Sequence, residues 1–362
     1  MKKQLSDALF VLLISAFLCG GCSGSGDSSS AAQTDIYAGG SANNSADEQL
    51  PVYWKNGVCK VLPSLDTTKH STVKSIIISG NDIYAGGWSI NSSNVRVPGY
   101  WKNGAWHGLT PLDAAKDSAV TSLALTENDL YAGGWSIDSS DVSVPGYWKN
   151  GAWQGLTPLD TGKYSVVNAV VVSGSDVYSG GYSTDSSDVL VAGYWKNGSW
   201  QGLTPLDAAK TSFVNSLAVS GSDVYAAGIS TNSSGVYVAG YWKNGSWQGV
   251  TPLDATKHSR ANSLAVSGSD VYASGYSVNS SNVQIPGYWE NGDWHGLPPL
   301  DATKTSNAYS LVVSGSDVYA GGWSIDSSDV SVAGYWINGK WKGVAPLAPG
   351  KNASIFSMVI VE

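Results

Sequence analysis

Apolar and polar residues alternate along this chain in short runs that return every 47 residues. One copy, residues 212–249, shows the pattern. Residues 214–220 form an apolar run of strand type, centred on Leu217, Ala218 and Val219. Gly221-Ser222 supplies a tight turn, and residues 223–228 read as a second strand. The loop Asn232-Ser233-Ser234-Gly235 reverses the chain before a third strand, residues 236–243. Asn244-Gly245 is a strong hairpin signal, since both residue types accept the positive φ of a two-residue hairpin turn. Residues 246–250 then form a fourth strand, and Pro252-Leu253-Asp254 leads to the next copy. Each unit is therefore expected to be four antiparallel strands, a to d, with no helix.

The landmarks keep register without insertion or deletion. A Tyr-Trp pair recurs at Tyr53, Tyr100, Tyr147, Tyr194, Tyr241, Tyr288 and Tyr335, and a second tyrosine at Tyr37, Tyr84, Tyr131, Tyr178, Tyr225, Tyr272 and Tyr319. Seven units fill residues 35–362. A strand-rich period of this length predicts an all-β, seven-bladed β-propeller with one four-stranded blade per repeat. The repeat array enters at Asp35-Ile36-Tyr37, a strand b without its strand a, and leaves at residues 355–361, a strand a without its strand b. The C-terminal strand is therefore expected to complete the first blade and close the ring. An open solenoid would need distinct capping repeats instead. The recurrent Tyr and Trp residues are read first as packing between blades.

A di-glycine closes strand b in this reading, at Gly39-Gly40, Gly86-Gly87, Gly133-Gly134, Gly180-Gly181 and Gly321-Gly322. A tyrosine follows in strand c with a tryptophan six residues beyond, as in Tyr147 and Trp153, and then Leu156, Pro158 and Leu159. This unit resembles the Kelch repeat over residues 35–362. Ala227-Gly228 and Ser274-Gly275 depart from the di-glycine, and the arginine usual near strand a is missing. The resemblance implies a protein-binding propeller. The copper site of the family's oxidase members has no counterpart among these residues.

The leader has a different composition. Lys2 and Lys3 precede an apolar run from residue 8 to 18, too short to span a bilayer comfortably, and small residues end at Cys22. It resembles a bacterial lipoprotein signal, residues 1–22, with Cys22 the lipidated residue, although Cys19 stands where that pattern usually has Leu. The other reading is an ordinary cleaved signal giving a soluble secreted protein. Residues 23–34 read as a flexible Ser/Gly tether. Ser23 after the cysteine favours an outer-membrane anchor if the cell is Gram-negative. The expected location is thus the bacterial cell envelope, with the membrane reached only through the lipid. Cys59 stands where the other units have Trp106, Trp153, Trp200, Trp247, Trp294 and Trp341, and is read as a small buried hydrophobe.

With a net charge of −8 and 13% charged residues, the chain lacks the clustered cations that nucleic-acid binding requires. No cofactor and no metal site is expected. The four histidines fall at two pairs of equivalent positions, His70 with His258 and His107 with His295, which disfavours a catalytic triad. The carboxylates Asp138, Asp141, Asp185, Asp188, Asp326 and Asp329 flank Ser-Ser loops and read as turn residues before they read as acid pairs or Ca²⁺ ligands.

Where the seven copies differ, they differ in columns. One reads His70, Asp117, Tyr164, Thr211, His258, Thr305, Asn352; the next, two residues on, Thr72, Ala119, Val166, Phe213, Arg260, Asn307, Ser354. A third reads Lys74, Thr121, Asn168, Asn215, Asn262, Tyr309, Phe356. Two more, after the di-glycine and at the start of strand c, contribute Trp88, Trp135, Tyr182, Tyr276 and Trp323, and Arg96 and Tyr237. An a-b-c-d meander puts all five columns at one end of the blades, near the mouth of the central channel. The candidate ligand-binding residues are therefore His70, Thr72, Lys74, Trp88, Arg96, Trp135, Tyr164, Tyr182, Phe213, Tyr237, His258, Arg260, Tyr276, Tyr309, Trp323 and Phe356. The Lys-Asn-Gly turn at the opposite end scarcely varies although it is exposed, which favours diversification for binding over drift. The function expected is a surface-tethered, monomeric, non-enzymatic module that binds a glycan or an extracytoplasmic protein. The alternative is an envelope scaffold lipoprotein.

Overall fold

The computed structural model describes residues 34–362; the leader, Cys22 and the tether before Thr34 lie outside the described residues. Seven four-stranded antiparallel sheets form the blades of a propeller. In blade 5, strand a is Ser212–Ser220, b is Asp223–Thr231, c is Tyr237–Lys243 and d is Ser246–Gly249. The a strands of neighbouring blades pack against one another around the axis. Blade 1 is closed as the sequence implies: Ala353–Val361 serves as its strand a and pairs antiparallel with strand b, Asp35–Asn43.

Strand b does not end at the di-glycine. It runs three residues further, to Thr231 in blade 5, and reverses at Asn232, whose Oδ1 accepts the N–H groups of Ser234 and Val236. The glycines answer instead to a β-bulge in strand a, present in every blade. The extra residue is the third variable column, Lys74 to Phe356. The bulge pushes a strand-a carbonyl against strand b. A Cβ on the second glycine would lie 1.8–2.0 Å from that oxygen, as at Gly228 against Phe213 O, so only glycine fits there.

The first glycine faces the next blade. A Cβ on Gly39 would sit 2.7 Å from Val73 Cγ1. Where this glycine is replaced, the facing side chain has shrunk: Ala227 meets Ala261, and Ser274 stands against the blade that carries Ala308, in place of Val or Ile. Blade 1 shows the same matching. In the other blades the strand-c glycine lies under the strand-d tryptophan, and a Cβ there would come within 2.2–2.5 Å of the ring. At these two positions blade 1 has Val52, fully buried, and Cys59 instead. Burial raises the Cys59 thiol to about 11, an unreactive group at neutral pH.

The tryptophan after each strand-c tyrosine, Trp54 to Trp336, is 0–1% exposed. Its Nε1–H donates across 2.7–2.9 Å to a carbonyl of the preceding interblade connection, as Trp242 does to Thr204 O. These are packing residues with a satisfied polar end.

On the face that carries the a–b and c–d turns, each Lys-Asn-Gly is held by side-chain bonds. Asp223 accepts from Lys243 at 3.1 Å and from Asn244 Nδ2, while Asn244 Oδ1 accepts Val224 N–H. The same pairing joins Asp35 to Lys55, Asp82 to Lys102, Asp129 to Lys149 and Asp176 to Lys196. The constancy of this turn follows from these bonds, so it is no measure of how fast exposed residues drift.

Candidate functional site

The bulge residues of all seven blades turn toward the axis at one end of the channel. Together with the serines that follow them they line a cavity of 370 Å³. Its wall falls into two arcs. In blades 3 to 6 the bulge residue stitches its blade to the next: Thr121 Oγ1 donates to Val167 O, Asn168 Nδ2 to Val214 O, Asn215 Nδ2 to Ala261 O, and Asn262 Nδ2 to Ala308 O. In blades 7, 1 and 2 the bulge residues are Tyr309, Phe356 and Lys74, which instead contact one another. Tyr309 meets Phe356 edge-on at 5.3 Å, and Lys74 Nζ lies over the Phe356 ring at 3.8 Å.

Below the bulges runs a ring of serines. Ser75, Ser122, Ser216, Ser263, Ser310 and Ser357 each accept, at Oγ, a strand-a N–H of the following blade. The two-residue a–b hairpin sets the ladder so that this N–H points away from strand b. The ring breaks once, at Ala169, opposite Leu217 N–H. Beyond the ring the channel is lined by apolar side chains such as Ile77, Val171 and Val359.

The candidate residues separate into three groups. Lys74, Arg260, Tyr309 and Phe356 line the cavity. Arg260 stacks on Phe213 at 4.9 Å, and its Nη2 donates to Asn215 Oδ1. The desolvated setting of Lys74, with like charge from Arg96 second, lowers its ammonium to about 8. Around the cavity, Arg96 lies over Trp88 at 4.5 Å and Trp135 at 5.6 Å, so the guanidinium covers faces that sequence reading left free for stacking. Tyr182 sits between Tyr164 and Phe213, edge-on at 6.1 and 6.4 Å, and burial raises its hydroxyl to about 12. Burial likewise raises Tyr276. Trp323 is half-buried beside Asn307 on the same sheet.

The rim holds His70, Tyr164, Tyr237 and His258, with Tyr164 and Tyr237 50% and 41% exposed. His258 is also structural. Its Nδ1 accepts Tyr237 N–H at 3.0 Å, as Asp117 accepts Arg96 N–H and Asn352 accepts Ser331 N–H. Thr72 is a correction. It is 1% exposed and its hydroxyl donates to Val73 O, so its short side chain offers no surface to a ligand, whereas the longer Arg260 of the same column reaches the cavity.

Sequence reading passed over Asn168, Asn215 and Asn262, although they share a column with Lys74. The bulge in strand a is what aims them at the axis. The loop carboxylates are turn residues: Asp138 Oδ1 accepts Ser140 and Val142 N–H, and Asp141 pairs with Lys116. His107 and His295 stack on Tyr100 and Tyr288 at 4.9 and 4.8 Å.

No protein-family model and no curated protein matches the chain. Among solved structures it is similar to the β-propeller domain of the Trilobed protease from Pyrococcus furiosus, described as having an open velcro topology. The TM-score is 0.53 at 10% identity over 86% of this chain and 95% of that one. It is also similar to a puromycin-hydrolyzing peptidase of Mycobacterium tuberculosis, with TM-score 0.52 and 12% identity over 87% of this chain and 53% of that one. At such identities the likeness shows the fold alone: this chain is a β-propeller, here of seven blades, with its first blade closed by the C-terminal strand.

Proposed function

We propose that this propeller is a non-enzymatic binding module of the cell envelope that takes a glycan at the channel mouth. The observation that carries the reading is the unstitched arc. Three neighbouring bulge residues, Tyr309, Phe356 and Lys74, give up the interblade bond that four others make and place two aromatic rings and a cation on one cavity wall. Aromatic faces with nearby amides and hydroxyls suit a sugar, whose ring has an apolar C–H side and polar edges. Placement at the envelope, with Cys22 lipidated in an outer membrane, rests on the leader sequence, and the kinship to Kelch repeats rests on the di-glycine and the spaced Tyr and Trp. Both structural neighbours are named as protease or peptidase, and at 10% and 12% identity that activity does not carry over.

A scaffold role is the second reading. It is favoured by the way Arg96 occupies the Trp88 and Trp135 faces, leaving those aromatics satisfied within the fold. Probing a broad glycan array with residues 35–362 separates the two. A specific hit lost in Phe356→Ala and Tyr309→Ala, with the near-UV circular dichroism otherwise kept, supports the binding module. A blank array, with crosslinking in intact cells that captures a protein on the opposite face, supports the scaffold.

A further inference from the structure

The acidic chain gathers its cations unevenly. It has 28 acidic residues and only two arginines, Arg96 and Arg260, and both stand at the channel mouth. No acidic residue lines the 370 Å³ cavity, whereas Lys74 and Arg260 do. Among the described residues, neither these two nor Arg96 takes part in an ion pair. The Nε atoms of Arg96 and Arg260 are buried without a hydrogen-bond partner. Buried cations are ordinarily paired, because a desolvated charge without a counterion is costly. The missing counter-charge is then a ligand's.

The rest of the wall narrows the class. The amide nitrogens of Asn168 and Asn262 are spent on the next blade, which leaves their Oδ1 atoms as acceptors at the cavity. Acceptors call for donors, and a sugar's hydroxyl groups supply them. Phe356 and Tyr309 give this wall its apolar surface, with Lys74 over one face of the Phe356 ring. The volume is within the range of about 300–1,000 Å³ typical of small-ligand sites.

We propose that the channel mouth binds a carboxylate-bearing sugar of the hexuronate type. Lys74 and Arg260 supply the positive charge that attracts its carboxylate, the Phe356 and Tyr309 side takes its ring, and the Asn168 and Asn262 Oδ1 atoms accept from its hydroxyls. This rests on the binding-module reading above and deepens it.

Titration calorimetry of residues 35–362 with trigalacturonate and with its fully methyl-esterified form tests the inference without any variant. The acid is expected to bind at least about tenfold more tightly than the ester, since charge-assisted bonds are lost on esterification. Arg260→Gln and Lys74→Met are each expected to weaken the acid by about tenfold or more, and Lys74→Arg to retain it. Equal affinity for acid and ester overturns the carboxylate assignment while leaving a glycan module in place. Binding of tetra-aspartate with the same variant pattern, and no binding of trigalacturonate, overturns the sugar class. No binding of either saccharide together with a blank glycan array removes this inference and the glycan reading together.

Discussion

Ala169→Ser is expected to stabilise the propeller by completing its serine ring. Six of the seven interblade N–H groups at this level have a serine Oγ within 2.9–3.2 Å, and only Leu217 N–H faces an alanine. The hydroxyl needs no new space, because the six other blades hold it at the same register. A net hydrogen bond contributes about 1 kcal/mol, with a span of about 0.5–1.5. A folded chain of this length has an unfolding entropy of about 0.7 kcal/mol per kelvin, so the gain corresponds to a rise in Tm of about 1–2 °C. The assay is urea unfolding followed by tryptophan fluorescence, with a thermal scan at fixed rate alongside. Ser263→Ala is the matching loss. It orphans Leu311 N–H and is expected to cost about 1–2 kcal/mol. If Ser263→Ala costs that much while Ala169→Ser gives nothing or destabilises, the reasoning fails, and water in the channel already serves Leu217.

Three further outcomes follow from packing and charge. Gly228→Ala places a Cβ 2.0 Å from Phe213 O and is expected to cost about 3 kcal/mol or more, read by urea midpoint or by loss of soluble protein. Ala261→Val recreates the side chain that elsewhere faces glycine and is expected to cost about 1–3 kcal/mol; adding Ala227→Gly should recover most of it in a double-mutant cycle. Lys74→Met is expected to exceed the wild type by about 2–3 kcal/mol at pH 7, where the buried ammonium is charged in both folded and unfolded chains. That advantage should shrink as pH rises from about 8 toward 10.5, the window in which the unfolded chain still holds the proton the folded chain has released. Urea titrations across that range, with constant salt, check the sign. The cost sits where a binding site would be expected to hold it.

The ring, its strand order and its closure were legible from the chain because a 47-residue period leaves one repeated unit and the Asn-Gly and Gly-Ser turns punctuate it. The end of strand b was misplaced for a physical reason. Gly-Gly reads as a turn signal, but glycines such as Gly180 and Gly181 instead admit a leucine from the next blade and a bulge from strand a. A bulge is a property of two strands together, so no single run of residues announces it. For the same reason Thr72 entered the candidate site and Asn168 did not: alternation gives the side-chain face only until the register shifts. The matched changes Val52 with Cys59, Ala227 with Ala261, and Ala42 with Ala353 where blade 2 has the buried, hydrogen-bonded Ser71 and Ser89, show that contacts have diverged together within one chain.

Closure of blade 1 by the last strand also fixes how the disc is held. Asp35 pairs with Val361, at the level where the other blades place their a–b hairpins, so the polypeptide enters and leaves on the face with the Asp and Lys pairs. Anything attached ahead of Asp35 therefore grips the disc from behind. The cavity of Lys74 and Arg260 opens on the other side, away from both ends of the ring.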